Sequence, residues 1–291
     1  MLSLLSLVAC MSGPNTDGLP DNRLLIQLPT SSSSGKSLSK AEEKNWSTYY
    51  LLTAQVTDQV NGMVGFVLGL TTGIVSTQRP TTYDEDNGFA EWGPYADTLD
   101  PVETVLWVQH NDDNSYSWGY DQWPKEDETA RVTVVTGEVD AGATKESSTG
   151  RFTIDFTTIH QMDPTSAIQQ GSFSSEYSLS PTLSSNTVTV ADYTLTSFDG
   201  VYAYAQGDAG DGTMDLKVAY DAYPGSADEL HTVTSAWTPE GAGRADATLS
   251  GGDLGSQSGA ASECWSTSFE RVYYTEDWSS LVEGDPTLCA L

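Results

Sequence analysis

Beyond Pro80 the chain is written almost entirely in period two, and no other feature constrains its fold as strongly. Val102, Thr104, Leu106 and Val108 alternate with Glu103, Val105, Trp107 and Gln109. The turn-forming run Asn111-Asp112-Asp113-Asn114 follows, and Tyr116, Trp118 and Tyr120 then alternate with Ser115, Ser117 and Gly119. Successive side chains of a strand point to opposite faces, so each run reads as a half-buried strand and the pair as a hairpin. Comparable runs occupy 131–139, 150–159, 171–179, 186–196, 200–206, 213–220, 229–237, 244–249 and 264–274, with one more around 90–95. The connections are short, and Asp211-Gly212 between two runs is a hairpin dipeptide. The expected fold is mainly β: an antiparallel meander of about twelve strands, forming a barrel or half-pipe.

One segment departs from this period. Between Ala41 and about Ser76 apolar residues recur three or four apart, at Leu52, Val56, Val60, Met63, Val64, Val67 and Leu68, which is a helical spacing. A helix over 41–78 is expected, stopped by Arg79-Pro80 because proline cannot continue a helix interior. Gly62, Gly65, Gly69 and Gly73 share one face of it. Each glycine costs a helix about 1 kcal/mol relative to alanine, so close packing of this face against another backbone is the expected compensation, with the helix filling the concave side of the sheet. The uninterrupted apolar stretch 62–70 falls far short of the roughly 20 residues that cross a bilayer.

The first residues form an apolar run that closes on Leu7-Val8-Ala9-Cys10. This motif resembles the lipobox of bacterial lipoproteins; the resemblance covers this motif alone, since the run carries no basic residue ahead of its apolar stretch. It implies lipidation at Cys10, a signal segment over 1–10, and a membrane partner reached through the lipid. Met11 rather than aspartate follows the cysteine, which by the sorting pattern of such lipoproteins implies the outer membrane. Assigning Cys10 to lipid leaves Cys264 and Cys289 as one pair in an oxidising envelope compartment. Their bridge would close a loop worth roughly 3.5 kcal/mol in the chain-entropy treatment. Residues 11–40, with Pro14, Pro20, Pro29 and Ser31-Ser32-Ser33-Ser34-Gly35, read as a flexible tether interrupted by one apolar patch, Leu24-Leu25-Ile26, which offers a point of docking. A single β-rich domain then occupies 41–291.

Twelve basic residues against 41 acidic ones give a net charge of −29, a field that repels phosphate backbones and excludes nucleic acid as a partner. Neither a nucleophile elbow, a zinc-helix motif, a P-loop nor a dinucleotide fingerprint occurs, and His110, His160 and His231 lie far apart. No catalytic residue and no obligatory cofactor is therefore assigned. Two acidic loops, Asp84 to Gly88 with Asp86 and Gly207 to Gly212 with Asp208 and Asp211, carry oxygen ligands suited to Ca²⁺, although the same residues are ordinary turn formers. Arg244 and Asp246, two apart on a strand, share a face and are set to form an ion pair. Together with Glu263-Cys264-Trp265 and Gly284-Asp285, this segment resembles uncharacterised acidic β-rich envelope lipoproteins, a resemblance that implies no activity. The expectation is a lipid-anchored cell-envelope protein acting as a binding or structural module toward an envelope protein or small molecule. An apolar-ligand carrier with a helix lid, and a hydrolase of envelope or extracellular polymers, are the alternatives.

Overall fold

A computed structural model describes residues 14, 16, 18–29, 46–165, 169–192, 199–222 and 224–291. Cys10 and the serine run lie outside them. The chain builds one antiparallel sheet of fifteen strands in strict sequence order, and its first and last strands do not pair, so the sheet is not closed. The first eight are β1 (Thr82–Asp84), β2 (Phe89–Tyr95), β3 (Val102–His110), β4 (Tyr116–Pro124), β5 (Val132–Val139), β6 (Ser148–Asp155), β7 (Ser172–Leu179) and β8 (Leu183–Ala191). Then come β9 (Asp199–Gly207), β10 (Gly212–Tyr220), β11 (Glu229–Trp237), β12 (Gly243–Ser250), β13 (Ser258–Trp265), β14 (Arg271–Glu276) and β15 (Val282–Gly284). The meander is as expected, with three more strands than the alternation shows. Two of these, β1 and β15, are three-residue edges too short to display a period. The run 264–274 is two strands broken at Ser266–Glu270. The run 150–159 ends at Asp155, whose carboxylate accepts from Thr158 N and caps a short helix, α2 (Phe156–Met162).

One turn geometry recurs where β3 meets β4, β9 meets β10, β11 meets β12 and β13 meets β14. In each, the first residue's N–H reaches a carbonyl four residues on, and the fourth residue's N–H returns to the first carbonyl, as for Thr238 N to Ala242 O at 2.8 Å and Gly241 N to Thr238 O at 2.9 Å. The fourth residue is left-handed: Asn114, Gly210, Gly241 and Phe269. Phe269, with φ of 67°, is the costly member, because a bulky side chain rarely adopts this region. Its ring is buried and stacks on Tyr50 at 4.2 Å, so packing offsets the backbone cost.

Aromatic rings lie across glycines on the adjacent strand. Trp118 covers its register partner Gly137, and Trp265 covers Gly243. Trp107 with Gly119, Tyr177 with Gly150 and Trp237 with Gly212 repeat the pairing. A Cβ on these glycines would overlap the ring, so each glycine is the space its partner's ring occupies.

Helix α1 (Thr48–Leu68) continues as a π-helical stretch over Gly69–Ile74. It starts at Thr48 within the expected 41–78, with the Ser47 hydroxyl accepting from Tyr50 N; residues 41–45 lie outside the described ones. Fifteen strands about 4.8 Å apart would span about 65 Å if flat, whereas the helical stretch is about 40 Å long. One continuous core nevertheless joins helix residues to side chains from β2 through β13, so the sheet curves around the helix. Val56, Val60, Val64 and Val67 are buried there, and Thr53 and Thr57 bond Ser235 at 2.9 Å and Tyr202 at 3.3 Å.

Two expectations are corrected. The glycine face does not make the contact: a Cβ on Gly62, Gly65, Gly69 or Gly73 would meet nothing within 4 Å. At about 100° per residue these glycines project away from Val64, and the face with apolar area to bury is the β-branched one. Nor is 18–29 a free tether. Leu19, Leu24 and Ile26 are buried in the same core. Asn61 both accepts from Ile26 N and donates to Ile26 O at 2.9 Å, and Gln206 grips the backbone of Gln27 in the same way. Side-chain amides here replace the ladder an extended segment otherwise needs.

Candidate functional site

The start of α1 is tied to the sheet through several side chains. Its first free N–H groups, on Thr48 and Tyr49, donate to the carboxylate of Glu263, at 3.2 and 2.7 Å, while Tyr50 N donates to Ser47 Oγ. Leu51 N bonds Ser47 O, so every N–H of the first turn has a partner. Glu263 is wholly buried on β13 and pairs with Arg271 of β14, which also reaches Glu283 and Thr48 Oγ1. A buried carboxylate needs such partners, and here a helix N-terminus and a guanidinium both supply positive charge. Trp46, Tyr50, Trp265 and Phe269 pack ring to ring beside it.

Beside this anchor, residues of α1, β10 and β11 line a groove of about 1060 Å³. Leu51, Leu52 and Val56 of the helix face Leu216 and Val218 of β10, with Gln55 and Gln59 on the lip. Tyr49, Tyr220 and His231 stand together at one part of the groove, and Tyr220 OH lies 3.4 Å from His231 Nδ1. Burial lowers the His231 pKa, so its imidazole is neutral at pH 7. Burial, reinforced by Glu263, Tyr220 and Glu276, pushes the Tyr49 hydroxyl up to about 12, and burial with Glu229 raises Tyr220. The groove is therefore an apolar trough with Tyr49, Tyr220 and His231 as uncharged hydrogen-bonding groups at one part, glutamines on its lip and Asp221 as its one charged lining residue among those described. His231 opposes Val218 in register, in the inward row that continues through Val233, Ser235 and Trp237. A histidine on the inward-facing row of β11 is the signal that sequence reading passed over; nothing local marks Tyr49.

The residues singled out by sequence lie elsewhere. Cys264 and Cys289 are bonded, with Cα atoms 5.4 Å apart, and tie the C-terminus beside Glu263. Arg244 forks onto Asp246 at 2.9 and 2.8 Å, and Ser262 donates to the same carboxylate; the pair is exposed on the sheet surface. Asp84 accepts from Asn87 N and Nδ2, which holds its pKa down and closes the turn on itself. Among the described residues no three His, Cys, Asp or Glu side chains converge, so Asp84 with Asp86 and Asp208 with Asp211 gain no third such side chain.

A second ionic network, unnoticed in sequence, lies on the opposite sheet face. Arg131 donates to Asp121 and Glu91, each at 2.7 Å, and stacks over Trp123 at 5.3 Å, while Trp107 donates to Asp121 and Trp123 to Glu103. These groups satisfy one another and fasten β2 to β5. A polar hollow of about 680 Å³ lies between Tyr95, Tyr120 and the later part of α2, lined by Asp97, Asp100, Gln122, Ile159 and Asp163. No described helix is long and apolar enough to cross a membrane. The sequence matches no protein-family model, no curated protein and no solved structure.

Proposed function

We propose that the chain is a lipid-anchored cell-envelope binding protein, held at the outer membrane through Cys10, whose groove between α1 and β10–β11 takes a small molecule with an apolar body. The groove carries this reading. Its volume falls at the upper end of small-molecule sites, which are typically about 300–1,000 Å³ and combine apolar walls with a few convergent polar groups. The lipobox-like Leu7-Val8-Ala9-Cys10 supports the anchor, and the Cys264–Cys289 bond suits an oxidising compartment. Helix α1 serves as a fixed wall rather than a lid, because Glu263, Arg271 and the aromatic cluster hold its first turn while its valine face sits in the core. The hydrolase alternative has less support: the sequence carries no nucleophile-elbow, zinc-helix or P-loop motif, and among the described residues a single carboxylate, Asp221, lines the groove.

Two measurements test this. Intact-mass analysis of membrane-extracted protein should show acyl chains on wild type and none on Cys10→Ser; an unmodified, soluble wild type would remove the anchor. The fluorescent apolar probe N-phenyl-1-naphthylamine should bind the purified domain, and Gln55→Trp, which places an indole on the groove's exposed lip, should abolish that binding without shifting the thermal midpoint. Failure of the probe to bind, or equal binding by the variant, would overturn the groove.

A further inference from the structure

We infer that the groove selects ligands with an uncharged, hydrogen-bonding head group and rejects anionic amphiphiles such as fatty-acid carboxylates. This inference rests on the groove being the ligand site. A trough that accepts an acyl carboxylate needs a cationic side chain or a free helix N-terminus to replace the water the anion loses. Neither is present among the described residues. Of these, no lysine or arginine lines the groove, and the one charged lining residue is Asp221. The helix N-terminus that opens beside Thr48 and Tyr49 would be the natural anion site, but Glu263 already occupies it, accepting from both of those N–H groups. Arg271, which also donates to the groove-lining Thr48 Oγ1, is shared between Glu263 and Glu283, so the cluster carries more negative than positive charge.

The groups facing the trough are of the opposite kind. The Tyr49 and Tyr220 hydroxyls and the neutral imidazole of His231 both donate and accept, and Gln55 and Gln59 add amides on the lip. A hydroxyl, ester or amide head can satisfy them without bringing in charge. Glu263 thus does two jobs: it fixes the helix to the sheet, and by filling the helix N-terminus it removes the one feature that would have recruited a carboxylate.

The test compares two ligands of one chain length, 1-decanoylglycerol and decanoate, as displacers of N-phenyl-1-naphthylamine at pH 7 and below their aggregation thresholds. Decanoylglycerol should displace the probe, and decanoate should be at least about tenfold weaker because its charge is desolvated without a partner. Asp221→Lys should strengthen decanoate relative to decanoylglycerol by about tenfold, since it supplies the missing cation at the exposed mouth. Equal displacement by the two ligands in wild type would overturn the head-group inference and leave the groove standing. Displacement by neither would remove the groove as an amphiphile site and the inference with it. An Asp221→Lys protein that gains nothing toward decanoate would show that charge is not what excludes the anion, which also overturns the inference.

Discussion

On one side of α1, Val56, Val60, Val64 and Val67 are buried against the curved sheet; on the other, Gly62, Gly65, Gly69 and Gly73 look onto open space. Both sets recur at helical spacing, and four glycines in a row suggest the tighter contact. The structure assigns the contact to the valines, because burial follows the apolar area a face has to hide, whereas a glycine face has almost none. A stripe of small residues permits close approach without supplying a reason for it. The comparison makes opposite predictions for the two faces, and the elements that hold the valine face in place extend it.

The largest effect should come from Glu263→Ala. It leaves Arg271 without its buried partner and uncaps the first turn of α1 in one step. Removing one member of a buried pair typically costs about 3–5 kcal/mol. Denaturant melts should show this loss, and a cost below that of an exposed pair would mean that the valine face alone holds the helix. Next, Leu24→Ala should cost about 2–4 kcal/mol by leaving a cavity where residues 18–29 meet the core; a neutral result would restore the tether reading. Third, Gly137→Ala puts a methyl where the Trp118 ring lies and should cost about 1–3 kcal/mol through overpacking. These glycines, unlike those of α1, are in contact, so the same residue type gives opposite signs according to what faces it.

How much of this was legible follows from distance along the chain. Period two announces a meander because each strand carries its own pattern, and Arg244 with Asp246 is readable because an i, i+2 pair on a strand shares a face whatever surrounds it. The break at Ser266–Glu270 is not readable: the left-handed position there is held by Phe269, not glycine, and its justification is Tyr50, far away in sequence. The docking of 18–29 depends on Asn61 and Gln206, and the cap of α1 depends on Glu263, 214 residues beyond Tyr49. The groove is likewise a relation between α1 and β10. Its inward row, with His231 beside Val233, was visible, but the wall opposite was not.

The smallest effect is the most direct test of the two faces. Gly62→Ala and Gly65→Ala place a methyl on the open side of α1, within its regular α-helical part, where no atom lies within 4 Å of the new Cβ. Nothing has to shift, and alanine favours the helix over glycine by up to about 1 kcal/mol per site. Part of that gain comes from narrowing the unfolded ensemble rather than from any new contact, so it should appear even though the residue touches nothing. The double variant should therefore raise the thermal midpoint, and its increment should be close to the sum of the two single ones, because neither methyl meets a shared partner. A glycine face that docked against a backbone, in this chain or in a second copy, would give the reverse sign, with a loss of about 1–3 kcal/mol from overpacking. A fall in the midpoint at either position would show that the open face is occupied in solution, and the distinction between the two faces would have to be abandoned.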